Sequence, residues 1–392
     1  MRVFLRFLAY QVTAWIALGI VASGAGWWAP VVVAFVALYT TVPLIAFVRW
    51  RGWPFYPGAI FRVVVVRALL YTQLLLPFIA GAAVIGLLIG LPFGTSLVIG
   101  RVLTEVVIAA GVIVLLAGYV GSRRLVVREV EARVPGLPVS FDGFRIAQIS
   151  DLHVGPQTSK RFLSRVAKTV KDAGPDIIAV TGDVVDDRAE DVPWYAAAFA
   201  ALRAPLGVYL IPGNHDVYAG WDAVAHSLRE STDATILVND SRVIERAGAR
   251  LALIGTGDPA AGMRRVASPN ENAAPDVERA LARVPAATTV VALAHNPALW
   301  PGLAERGVAL TLSGHTHWGQ FAFPRLGWSL ASPFLEHAMG GHRSGDALLY
   351  INPGTGYWGI PFRLGAYPEI TVVTLRTADE ASLSVGKPRL AA

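Results

Sequence analysis

His315 and His317 stand one residue apart in SGHTHWGQ (313–320), directly after the apolar run VALTL. A strand residue and its second neighbour project to the same side, so an extended His-Thr-His aims two imidazoles into one space. Such a pair suits a divalent metal; read alone, the same stretch equally suits a polar turn closing a strand. The other chemistry-bearing side chains fall in similar places. Asp151 and His153 follow FRIAQIS, Asp183 follows DIIAVTG, Asn214 and His215 follow VYLIPG, and His295 follows VVALA. Each by itself reads as a strand cap, a turn or a surface histidine. Together they set carboxylate, amide and imidazole groups at the carboxyl ends of five apolar strands, the edge where ligands bind in open α/β sheets. The chain has no cysteine, so disulfides and thiolate ligands are excluded and a metal has only His, Asp, Asn or Glu to sit on.

The elements that must position these residues alternate in type. After FRIAQIS comes an amphipathic helix with Phe162, Leu163, Val166 and Val170 on one face, Thr158 or Ser159 as its N-cap and Gly174-Pro175 as its stop. Helices are expected near 194–203 and 221–230 and a strand over 234–240. A hairpin over 242–255 turns at Ala247-Gly248. Residues 256–287, rich in Gly, Pro, Ala and Asn, read as a loop with one short helix. Strands alternating with helices predict an α/β layered domain.

The ordered set D-x-H, G-D, G-N-H-D, H and G-H-x-H, spread over roughly residues 143–320, resembles the signature of the calcineurin-like metallophosphoesterase superfamily. The apolar first third, with Asn352–Gly359, resembles the membrane-linked YkuE-like branch of transmembrane metallophosphoesterases. This resemblance implies a β-sandwich flanked by helices, a centre of two divalent metal ions (Mn, Fe or Zn) and hydrolysis of a phosphate ester. It further implies that Asp151, His153 and His317 hold one metal, that Asn214, His295 and His315 hold the other, and that Asp183 bridges them. His215 is then expected to face the substrate, with the carboxylate of Asp186 orienting its second nitrogen. Asp216 is expected to cap the following helix, Asp187 to be exposed charge, and His226 to be a surface residue. His337 and His342 are exposed loop histidines or part of a segment folded over the metals. Gly354, Thr355, Tyr357, Trp358 and Arg363 are candidates for a substrate path, and Tyr357 and Trp358 also suit plain packing or a membrane-facing patch.

Composition points to a chain only partly in water: 54% of residues are hydrophobic and 16% charged, against about 25% charged in a soluble protein. Four apolar stretches, about 6–22, 29–48, 69–91 and 102–120, each approach the ~20 residues that cross a bilayer as a helix. Arg2 and Arg6, then Arg49, Arg51, Arg62 and Arg67, then Arg123, Arg124 and Arg128 fall on one side of these spans, and Arg101 alone falls on the other. Basic residues stay cytoplasmic, so the N-terminus and everything after residue 121 are expected in the cytoplasm. Trp27, Trp28, Trp50 and Trp53 sit where an interfacial aromatic belt belongs. The net charge of +6 comes from arginines at span ends instead of one basic stripe, which argues against nucleic acid as a partner.

The expected organisation is a transmembrane region (1–121), a linker (122–142), the metallophosphoesterase domain (143–378) and a tail (379–392). The function that follows is a bilayer-anchored phosphoesterase cleaving a phosphate ester or pyrophosphate bond, in its sharper form on a lipid-linked substrate. A scaffold that keeps the fold without catalysis, or a membrane sensor, is the competing expectation.

Overall fold

The computed structural model describes residues 2–50, 55, 57–263 and 273–391; Arg51 and Trp53 lie outside the described residues. It falls into two compact units, 1–118 and 119–392.

The first unit is helical. Helices α1 (Arg2–Ser23), α2 (Trp28–Trp50), α3 (Arg67–Gly90) and α4 (Ser96–Gly121) are each long and apolar enough to cross a bilayer. A short turn and one π-helical turn lead into α3, making a continuous apolar stretch of 35 residues, Ala59–Phe93. In hydrocarbon the pull between helices comes from close packing and polar pairs. Both are present: Gln11 Nε2 donates to Gln73 Oε1 at 2.6 Å, Trp15 Nε1 reaches Gln11 and Thr41 at 3.2 Å, and a Cβ on Gly86 would meet Gly100 Cα at 2.5 Å.

The second unit is built on strands β1 (Val126–Pro135), β2 (Arg145–Ile149), β3 (Ile177–Thr181), β4 (Val208–Ile211), β5 (Thr235–Ile236), β6 (Asp240–Arg246), β7 (Ala249–Gly255) and β8 (Thr289–Leu293). They are followed by β9 (Leu310–Ser313), β10 (Ala322–Phe323), β11 (Trp328–Ser329), β12 (Gly340–Ser344), β13 (Ala347–Ile351), β14 (Glu369–Ala378), β15 (Ser382–Val385) and β16 (Arg389–Leu390). One sheet runs β15-β1-β14-β2-β3-β4-β5 with β16 also on β1, and the other runs β12-β13-β9-β8-β7-β6. β2 to β5 are parallel, as are β7, β8, β9 and β13, so the carboxyl ends of each set form one edge.

Period-2 alternation sorts the strand side chains into layers. Ile177 and Ala179 of β3 join Val291 and Leu293 of β8 and Leu310 and Leu312 of β9 in the core between the sheets. Ile178 and Val180 face the other way, against Leu163, Val166 and Val170 of α5 (Lys160–Ala173) and Val224 and Leu228 of α6 (Trp221–Ser231). Val290 and Ala292 of β8 pack outward on Ala280 and Leu303. The result is helix, sheet, sheet, helix: the α/β layered sandwich. α5 starts where its cap allows, with Ser159 Oγ accepting from Phe162 N, and stops at Gly174 with φ 61°.

Four stretches differ from expectation. Residues 126–135, expected as linker, form the ten-residue strand β1, flanked by β14 on one side and by β15 and β16 on the other; Val126, Val130, Ala132 and Val134 are buried on one face, and the charged residues between them are partly exposed or paired. Arg128 is the telling case: its Nε lies 2.6 Å from Glu369 Oε2, and Tyr350 OH donates to the other Glu369 oxygen at 2.6 Å. Residues 382–385 and 389–390, expected as tail, pair antiparallel with β1. The strand expected over 234–240 shrinks to Thr235–Ile236, and the helix near 194–203 becomes a 3-10 turn followed by Ala196–Ala200.

Candidate metal centre

The carboxyl ends of β2, β3, β4, β8 and β9 converge, and the backbone there leaves the strand conformation. Asp151, His153, Asp183, His315 and His317 all have φ between 45° and 71°. This left-handed region is uncommon outside glycine, tolerated best by Asp, Asn and His, and costs of order 1–3 kcal/mol per residue. Five such residues at one edge mark stored strain. The extended conformation of His-Thr-His is replaced by a turn: left-handed His315 and His317 flank Thr316 at φ −76°, so the two imidazoles diverge toward different groups. His315 Nδ1 lies 2.7 Å from Asn214 Oδ1, while His317 Nε2 lies 3.3 Å from Asp151 Oδ1 and 3.0 Å from His153 Nε2.

Two groups of atoms that could hold a metal result. Asp151, His153 and His317 form one group with facing donor atoms, and Asp151, Asp183 and His295 form another. His295 Nε2 stands 3.2 Å from Asn214 Oδ1, which brings Asn214 and, through it, His315 to the second group. A single oxygen, Asp183 Oδ2, lies 3.3 Å from His295 Nε2 and 3.7 Å from His153 Nε2, one histidine from each set. A third grouping, His153, Asp186 and His215, was not anticipated.

Backbone and side-chain bonds hold these atoms in place. His295 Nδ1 bonds Thr181 O at 2.8 Å, leaving Nε2 for the centre. The amide of His315 donates to both Asp151 oxygens at 3.1 and 3.2 Å, and that of His215 donates to Asp183 Oδ1 at 2.8 Å. Gly314 is required by close approach: a Cβ there would run into Ser150 Oγ and Asp151 Oδ2.

The electrostatics follow from burial. Desolvation pushes the Asp151 carboxyl up to about 6 and the His153 imidazole down to about 3. Burial also lowers His315, to about 4, and lowers His317 well below the imidazole range, where the Arg363 cation adds to the effect. Desolvation opposes ionisation of Asp183 and His295 too. It is outweighed by their mutual attraction and hydrogen bond, which hold Asp183 well below the carboxylate range and His295 well above the imidazole range.

A dinuclear centre fits these residues. Two imidazole nitrogens 3.0 Å apart face one another in a buried space, and Asp183 Oδ2 faces one histidine of each set. The donors are N and O without thiolate, the set that suits Mn, Fe or Zn.

Other residues are placed differently from expectation. His215 Nδ1 bonds the backbone carbonyl of Asp186 at 2.6 Å, whereas the Asp186 carboxylate, expected in that role, has Oδ1 3.7 Å from His153 Nδ1. The main chain turns after β3, with Asp186 N bonded to Val154 O, and this brings the carbonyl round to His215. Asp216 is buried and accepts from Gly213 N at 2.9 Å and Val185 N at 3.0 Å, so it ties the ends of β3 and β4 as well as capping the short helix Asn214–Tyr218. Asp187 is exposed, and exposed His226 sits 3.4 Å from Glu230. His337 and His342 pack on Trp300, with ring centroids 4.9 and 6.2 Å away, and belong to none of the ligand groups.

Arg363 does not line a path: it is fully buried, donating to His317 Nδ1 at 2.7 Å, to His317 O at 3.1 Å and to the carbonyls of Pro353 and Gly356. It thereby turns His317 Nε2 toward Asp151. Thr355 and Gly356 brace the end of β2, donating through their amides to Ser150 O at 2.7 Å and Asp151 O at 2.9 Å. Of the candidates for a path, Trp358 is the exposed one, its ring 6.3 Å from that of His215.

Residues 144–319 match the family model described as calcineurin-like phosphoesterase. The chain is also 30% identical over 282 residues to the metallophosphoesterase YkuE of Bacillus subtilis (strain 168), covering 69% of this chain and 94% of that one. It belongs to the calcineurin-like phosphoesterase family. Within this calcineurin-like group it is 34% identical over 260 residues to the transmembrane protein with metallophosphoesterase domain of Danio rerio, covering 64% of this chain. It is 33% identical over 239 residues to a metallophosphoesterase of Helicobacter pylori (strain J99 / ATCC 700824), covering 60% of this chain. The matched regions span 57% of the Danio rerio protein and 61% of the Helicobacter pylori protein.

Proposed function

We propose that the chain is a membrane-anchored phosphoesterase with two divalent metals, hydrolysing a phosphate ester or pyrophosphate bond, with a lipid-linked phosphate as substrate. The observation that carries this reading is the Asp183 oxygen facing one histidine of each ligand set. In it Asp151, His153 and His317 hold one ion, Asn214, His295 and His315 the other, and Asp183 both. Bound there, two ions lower the pKa of a water and neutralise charge on the phosphoryl oxygens.

The chain's own residues do the rest. His215 has Nδ1 committed to Asp186 O, which leaves Nε2 for the substrate. Burial works against its protonation, but Asp183, the Asp186 carbonyl and carboxylate, and Asp216 outweigh this and raise its pKa. A protonated Nε2 donates to a developing negative oxygen and gives its proton to the leaving group. Exposed Trp358, its ring 6.3 Å from that of His215, supplies an apolar surface for the organic part of the substrate. The Danio rerio relative's name and the four apolar helices support the anchoring, and the arginine distribution supports a cytoplasmic catalytic domain.

The test is hydrolysis by the full chain in lipid nanodiscs, loaded with Mn²⁺, on a soluble aryl phosphodiester, a nucleotide-linked lipid pyrophosphate and a lipid phosphate. The reading expects chelator-sensitive hydrolysis with a lipid-linked member turned over best. Silence on every member with Mn²⁺ and with Zn²⁺ overturns it.

A further inference from the structure

We propose that the segment 321–335, immediately after the site histidines, docks into the headgroup and acyl boundary of the lipid bilayer. The segment reads FAFPRLGWSLASPFL; it contains no acidic residue, and Arg325 is its one charge. Leu326 is 78% and Phe334 80% exposed, and Phe323, Trp328, Leu330 and Leu335 join them on the surface. An ordered hairpin carries Phe323, Leu326 and Trp328, and backbone bonds from Leu330 N to Phe321 O and from Phe334 N and Leu335 N to Ala331 O order the rest. Ala322 and Phe323 of β10 pair antiparallel with Ser329 and Trp328 of β11 across a 3-10 turn ended by Gly327 at φ 61°. The rings of Phe321, Phe323 and Trp328 pack on each other at 5.0 to 6.1 Å.

A cluster of exposed apolar side chains within one short segment marks an interaction surface, and three features commit this one to lipid. Bulky aliphatics with Trp and a single Arg are the composition of interfacial elements, whose aromatic rings sit at headgroup depth. The same chain carries four helices able to cross a bilayer. Only Ser122–Leu125 separate α4 from β1, a reach of about 14 Å, so a membrane holding α4 is a permanent neighbour of this unit at high effective concentration. Docking needs no hydrolysis. Its consequence for the site runs through Gln320, which exchanges hydrogen bonds of 3.1 Å with the backbone of Trp358, the residue beside His215.

The absence of cysteine makes the test clean. Leu326→Cys and, separately, Phe334→Cys give the full chain one thiol each for an environment-sensitive fluorophore, with His226→Cys on α6 as reference. The chain is placed one copy per nanodisc of phosphatidylcholine and phosphatidylglycerol, with and without bromine-labelled acyl chains. Docking predicts blue-shifted emission at 326 and 334 that the brominated lipid quenches, and neither effect at 226. Emission at 326 and 334 matching the reference overturns the proposal. So does a blue shift that brominated lipid does not quench, which would mean that protein covers the patch.

Discussion

At the residue scale, the centre depends on which proton sits where. In the metal-free chain the Asp183–His295 contact keeps His295 protonated, its pKa well above the usual value, while burial keeps His153, His315 and His317 neutral. A metal ligand must be deprotonated. In the proposed assignment, with His295 as a ligand, binding expels the His295 proton and falling pH opposes it. Calorimetry of Mn²⁺ binding at pH 7 in buffers of different ionisation enthalpy is expected to show proton release, and apparent affinity is expected to fall as pH is lowered. Absence of proton release contradicts the assignment. His215 stands outside both ligand sets, so His215→Gln is expected to lower kcat by about 10²–10⁴ with metal content unchanged. Metal analysis and steady-state kinetics on the same preparation check both halves. Because the partner of Nδ1 is a backbone carbonyl, Asp186→Asn leaves that hydrogen bond in place.

At the element scale, five strand ends do the positioning, and β14 braces one of them. Glu369 on β14 accepts from Arg128 of β1 and Tyr350 of β13, its backbone O accepts from Thr355 Oγ1 at 2.7 Å, and Thr355 N bonds Ser150 beside Asp151. Removing one partner of a buried ion pair costs about 3–5 kcal/mol, whereas replacing both with apolar residues is often neutral. Glu369→Ala is expected to lower stability by that amount, and Arg128→Met with Glu369→Met to recover most of it, read as urea midpoints of the full chain in detergent. This element also shows what was legible in the sequence. The parallel strands β2, β3, β4, β8 and β9 are short, continuous apolar runs ending in polar groups, so their existence and their chemistry could be read directly. β1 could not be, because Arg128, Glu129, Glu131 and Arg133 interrupt it and the pairing that accommodates Arg128 lies 241 residues away. Arg363 was hidden for the same reason: nothing near it in sequence announces His317. The left-handed turns at Asp151, His153, Asp183, His315 and His317 have no signature beyond residue type, so the conformation by which the His-Thr-His imidazoles diverge came from structure.

At the scale of the whole molecule, the chain joins an apolar four-helix region to a layered domain of the calcineurin-like family. The arginine asymmetry predicts that the domain faces the cytoplasm. His226→Cys, in a chain with no other cysteine, is expected to react with a membrane-impermeant maleimide only after cells are permeabilised; labelling of intact cells reverses the topology. Measuring metal content and hydrolysis together in wild type and Asp183→Asn asks whether two metals are shared through one carboxylate. Two Mn²⁺ per wild-type chain are expected, with fewer in the variant and hydrolysis lower by at least about a hundredfold, the upper end for residues that only support ligands. A variant that keeps two ions and the wild-type rate would contradict the shared carboxylate.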